Sequence, residues 1–205
     1  MRWLGVGLVF LAFLTMGSGA SASLTGWSCD DDGDGSIVME DPSTMVWTTV
    51  SATEYMLQAD CVQYEPMGHI DGDFIADSEQ DPVVWIIETV ENQTDFSWTG
   101  YRIDIGMDKE FSITGVVSPM DWTFAITQPV SGQSLPSHTN PGTGWVGSVD
   151  FYAGTAIDPG QSGNFGLVVS FLGSVAFCNE QVATPEPASL VLLGLGGLAM
   201  LRRRA

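Results

Sequence analysis

Positive charge is nearly missing from this chain: 205 residues carry only 6 Lys and Arg against 25 Asp and Glu. The shortage is sharper than the totals show. Arg2 and the cluster Arg202, Arg203 and Arg204 lie at the two ends, so between residues 23 and 184 only Arg102 and Lys109 face 24 acidic side chains, a formal charge of −22. A surface of that sign repels phosphate, which excludes nucleic acid as a partner and excludes docking on anionic lipid through a basic patch. It suits solubility outside the cell, divalent cations or cationic partners.

Histidine is scarce as well. His69 and His138 are the only two, each flanked by loop signals, and no Gly-x-Ser-x-Gly elbow accompanies them. A Ser-His-Asp arrangement therefore has little to draw on. Carboxylate pairs such as Glu88 with Glu91 resemble a glycosidase pair in type, but so many acids make some such pair inevitable. The expectation is a protein that is not an enzyme. Cysteine is low and odd in number: Cys29, Cys61 and Cys178. Three single pairings can be written, and a disulfide leaves one thiol over. Cys29–Cys178 is the pairing expected, since it joins the first and last strands and closes the longest loop, where chain entropy predicts most stabilisation. Helical periodicity is also missing between the two ends, as are internal repeats and low-complexity linkers.

Long apolar runs occur only at the termini. Met1-Arg2-Trp3, the apolar stretch Leu4–Leu14 and the small residues Ala20-Ser21-Ala22 read as a signal peptide over residues 1–22. At the other end Pro185, Glu186 and Pro187 precede the 14-residue apolar run Ala188–Leu201, which is followed by Arg202, Arg203, Arg204 and Ala205. As a helix that run spans about 21 Å, short of the roughly 30 Å hydrocarbon core. The tripeptide, apolar helix and terminal arginines, in that order, resemble the PEP-CTERM sorting signal of exported bacterial proteins. The resemblance covers residues 185–205 only. It implies transient insertion in the inner membrane with the arginines on the cytoplasmic face, and removal of the tail by an exosortase-type protease. It also implies a final place at the cell surface or outside the cell.

Residues 23–184 then form one domain, and its pattern is β. Tyr101, Ile103, Ile105 and Met107 alternate with Arg102, Asp104, Gly106 and Asp108. Trp122, Phe124 and Ile126 alternate in the same way, as do Trp145, Gly147, Val149 and Phe151, and Phe165, Leu167, Val169 and Phe171. Val83–Val90 is more continuously apolar and predicts a strand covered on both faces. Breakers such as Asp81-Pro82, Ser118-Pro119, Asn140-Pro141-Gly142 and Asp158-Pro159-Gly160 separate these runs. Such short alternating strands predict an all-β, antiparallel sandwich, Ig-like in general shape, with Ile103, Ile105, Phe124, Ile126, Leu167 and Val169 inside. Gln128–Gly144, rich in Ser, Pro, Gly and Thr, is the stretch expected to form a long mobile loop.

One internal motif carries metal chemistry. Asp30–Asp41 fits a calcium loop, resembling those of EF-hand and dockerin modules: Asp30, Asp32 and Asp34 at positions 1, 3 and 5, Gly35 at the sharp turn, the Ser36 carbonyl at 7 and Asp41 at 12. Asp in place of Glu at the last position, the absence of a preceding helix and Pro42 directly after exclude a complete EF-hand. A helix-free calcium turn between strands is the expectation, against a solvated acidic hairpin. A second acidic stretch, Asp71, Asp73, Asp77, Glu79 and Asp81, fits no loop template and reads as a connection. Trp85, Trp122 and Trp145 fall on strand faces and are expected in the core, whereas Trp47 and Trp98 lie nearer turns, where they would be free to stack on sugars. The reading of function is an exported surface or extracellular-matrix structural protein, associated with exopolysaccharide and biofilm as the sorting resemblance implies. The alternatives are a carbohydrate-binding module, held by calcium, and, last, a small hydrolase.

Overall fold

A computed structural model describes residues 24–40, 45–77, 81–137 and 141–186. The proposed signal peptide, Asp41, His138, Pro187, the apolar segment expected to be helical and the three terminal arginines fall outside these residues. Twelve strands and no helix make up the described chain. The first sheet has the order β1 (Leu24–Asp31), β5 (Met67–Ala76), β12 (Val175–Pro185), β7 (Trp98–Met107), β10 (Thr143–Ile157), β9 (Thr123–Ser134). The second runs β2 (Ile37–Met39), β4 (Glu54–Gln63), β6 (Val83–Asn92), β11 (Ser162–Phe171), β8 (Phe111–Val117), with β3 (Val46–Thr49) paired to β4.

Alternation explains how the two sheets pack. Tyr101, Ile103, Ile105 and Met107 on β7 turn inward, as do Phe165, Leu167, Val169 and Phe171 on β11, and all are buried. Aromatic contacts join the layers: Tyr101 of the first sheet stacks on Phe165 of the second at 4.1 Å, and Phe74 on Phe171 at 5.5 Å. One core lies between them.

Several expectations are corrected. The pairing of β4 with β6 is parallel, so the second sheet is mixed rather than antiparallel. Nothing in the strand order establishes an Ig-like pattern. Phe124 and Ile126 are not inside; they are 45% and 36% exposed. Their neighbours across the ladder, Phe151 and Val149, are buried, so β9 continues the inner face past the point where the second sheet ends at β8. Strand β6 is covered on one face only: Val84, Ile86, Glu88 and Val90 are buried, and Trp85 is half-buried on the other side with its Nε1 donating to Glu54 Oε1 at 2.7 Å. Gln128–Gly144 is largely a hairpin, because β9 runs on to Ser134 and β10 starts at Thr143. β12 also ends at Pro185, one residue into the sorting tripeptide.

Candidate metal centre at the β1–β2 turn

The β1–β2 turn is built from its own carboxylates. Asp31 Oδ1 accepts from Gly33 N–H at 3.0 Å and Oδ2 from Met39 N–H at 3.0 Å; Asp32 Oδ1 accepts from Asp34 N–H at 3.1 Å, and Asp34 Oδ1 from Ser36 N–H at 2.7 Å. Gly33 and Gly35 take φ of 74° and 83°, the left-handed region open to glycine without strain. Short acidic side chains closing successive local rings are a turn device in their own right. The bond from Ser36 also holds the Asp34 carboxyl below its usual range.

Register then brings a distant residue to this turn. The last β1–β5 pair is Asp31 with Ile70, which puts Asp32 beside His69. Ile70 is fully buried in the core, so His69, the adjacent residue on β5, faces the other side of the sheet. There its ring lies between two carboxylates: Nδ1 is 3.4 Å from Asp32 Oδ2, and Nε2 is 3.1 Å from Glu180 Oε2. Glu180 stands directly opposite His69 on β12. The side chains of His69 and Asp32 are 3% and 2% exposed. Asp32, Asp34 and His69 present ligand atoms that all lie within 4.8 Å of one another.

Of the ligands read from the sequence, the structure brings together Asp32 and Asp34. Asp30 belongs to β1, exposed and paired with Asp71. The Ser36 carbonyl, the expected seventh-position ligand, instead accepts from Tyr64 N–H at 2.8 Å and Glu65 N–H at 3.2 Å, which uses both lone pairs. His69 was missed, because a strand partner 37 residues away leaves no local signal.

Elsewhere the core carries a polar seam. Tyr101 Oη donates between Gln63 Oε1 at 2.7 Å and Gln181 Oε1 at 2.5 Å; Gln181 Nε2 in turn donates to Glu88, which also accepts from Asn179 at 3.4 Å. Burial pushes the Glu88 carboxyl up to about 7, with the two amide donors opposing the shift. On the outer face of the first sheet a cavity of about 250 Å³ is lined by Asp71, Asp73, Asp108 and Ser137, and Ser137 Oγ donates to Asp71 Oδ2 at 2.8 Å. The second acidic stretch thus begins on β5 rather than in a connection.

The remaining expected sites are not assembled. Cys29, Cys61 and Cys178 are free thiols. Cys29 pairs with Gly72 and Cys178 with Asp71, on the two sides of β5 and on opposite faces of the sheet. Two strand spacings are about 9.5 Å, beyond the roughly 4.4–6.8 Å between the Cα atoms of a disulfide, so the pairing Cys29–Cys178 is not made. Trp98 is fully buried and donates to Thr94 Oγ1 at 3.0 Å, while Trp47 is stacked between Trp27 at 5.8 Å and Tyr55 at 5.3 Å. Trp98 is thus closed to a sugar, and Trp47 is half-buried.

Residues 183–205 match the PEP-CTERM protein-sorting motif. The tail therefore carries the signal of exported proteins that are sorted by exosortase. No curated protein and no solved structure matches the chain. Among the described residues no helix is long and apolar enough to cross a membrane.

Proposed function

We propose that the folded domain is a structural component of the bacterial cell surface or extracellular matrix, delivered there by its sorting tail and held among exopolysaccharide. The observation that carries this reading is the sorting motif at residues 183–205, which begins inside the last strand of the domain. A protein whose tail is read by a processing enzyme in the membrane acts where that enzyme releases it. The acidic surface, formally −22 between residues 23 and 184, keeps such a protein soluble and apart from its neighbours at high local concentration. Of the two candidate aromatics of the carbohydrate-binding alternative, Trp98 is buried in the core and Trp47 is half-buried against Trp27 and Tyr55.

Intact-mass analysis of the protein from its native host, with and without a functional exosortase, tests the reading. The expected result is a species lacking Arg202, Arg203 and Arg204 in the surface and matrix fractions, and a full-length, membrane-retained species when the enzyme is absent. A mature mass that still includes the three arginines would overturn it.

A further inference from the structure

We propose that Asp32, Asp34 and His69 form a site for a divalent transition metal of the zinc class, with Glu180 positioning the histidine. The site is independent of the sorting tail and differs from the oxygen-only calcium loop in both its ligands and its ion. Three observations lead to it.

First, the residues converge from separate parts of the chain. Two carboxylates come from the β1–β2 turn and a buried imidazole from β5, with ligand atoms inside 4.8 Å. Second, the separation of His69 Nδ1 from Asp32 Oδ2, 3.4 Å, is the edge expected between two ligands of one tetrahedral ion. Bonds of about 2.0–2.2 Å meeting at the tetrahedral angle place the ligand atoms roughly 3.3–3.6 Å apart. Third, the far side of the ring is already held. His69 Nε2 lies 3.1 Å from Glu180 Oε2, and Glu180 is fixed opposite it in the β5–β12 ladder. A carboxylate on one ring nitrogen sets the tautomer that turns the other nitrogen's lone pair toward a metal. The turn bonds engage Oδ1 of Asp32 and Oδ1 of Asp34, while Asp32 Oδ2 is the atom facing the ring.

The donor set chooses the ion. One imidazole nitrogen with two carboxylates suits zinc and its neighbours, whereas calcium and magnesium take oxygen ligands in larger or octahedral shells. Asp34 is exposed, so an ion enters from its side, and a water completes four-coordination there. Bound metal would clip the end of the edge strand β1 to β5 and, through Glu180, to β12.

The test uses the full chain in mild detergent, stripped with a chelator and then titrated with zinc chloride, cobalt chloride or calcium chloride. Zinc is expected to raise the melting midpoint, and cobalt to develop the visible bands of a four-coordinate ion, while calcium at the same concentration does neither. Asp34→Asn, an exposed change that leaves the fold in place, is expected to weaken zinc binding at least tenfold. Glu180→Gln is expected to weaken it about 10–100-fold without moving the midpoint of the metal-free protein. The proposal is overturned if zinc gives neither heat nor a thermal shift, His69 being then only a side chain held between two carboxylates. It is overturned equally if calcium binds as tightly as zinc, or if Asp34→Asn binds zinc like the parent.

Discussion

Glu88 shows how a single residue can set the pH response of this fold. Its neighbours on β6, Ile86 and Val90, are apolar and buried, and it is the one acid inside the apolar run Val83–Val90. Folding carries it into the core against Asn179 and Gln181, where burial raises its carboxyl from the ordinary 4.5 to about 7. The folded state thus holds a proton that the unfolded chain has released. Stability from this group is complete below about pH 4.5 and is lost as pH rises through 7. The full loss is about 3 kcal/mol, from roughly 1.4 kcal/mol per unit, and most of it falls between pH 5 and 8. Urea unfolding at those two pH values should show the parent less stable at the higher, and Glu88→Gln should remove most of that difference. Groups present in both proteins cancel in the comparison. Equal pH slopes in parent and variant would show that Glu88 stays ionised in the fold.

At the scale of strands, legibility depended on which physical question the pattern answered. A period of two says which side chains share a face, and for β7, β10 and β11 that was enough, because the opposite sheet lies over them. It does not say how far that opposite sheet extends. Alternation places Phe124 and Ile126 on one face, yet that face is not interior, since β9 is the edge of the first sheet and β8 closes the second short of it. Gln128 occupies part of that margin: its amide donates to Ile113 O at 2.8 Å and accepts from Ile113 N–H at 3.1 Å, capping the free edge of β8 as a peptide group would. The metal cluster was half legible for a similar reason. Asp32 and Asp34 belong to a local motif, whereas His69 reaches them only through strand register. These assignments predict unequal costs. Ile105→Ala, at a fully buried position, should destabilise by about 2–5 kcal/mol. Phe124→Ala should cost under about 1 kcal/mol, near the range of surface changes. Urea midpoints at constant m-value measure both, and similar losses at the two sites would mean that Phe124 is covered after all.

At the scale of the whole molecule, an exported protein with cysteines in its first and last strands invites a disulfide, and the sheet order forbids it. Strand β5 lies between β1 and β12, so Cys29 and Cys178 are separated by a full strand and point to opposite faces. Cys29 Sγ instead lies 3.8 Å from Met39 Sδ, and Cys178 Sγ lies 3.7 Å from the Gly106 carbonyl. Burial pushes all three thiols up, Cys178 to about 12 and Cys29 and Cys61 further. Thiolate, the species that attacks a disulfide or an alkylating reagent, is therefore scarce in the folded state. Cohesion comes from the single apolar core shared by the two sheets, which a domain of this length can supply without a covalent staple. The native protein should accordingly react with an aromatic disulfide reagent only slowly, and all three thiols should titrate at once in denaturant. Its melting midpoint should not move on adding reductant. A reductant-dependent drop, together with a loss of two titratable thiols, would show that a bridge forms in the exported protein, and peptide mapping would then have to find a pairing other than Cys29–Cys178.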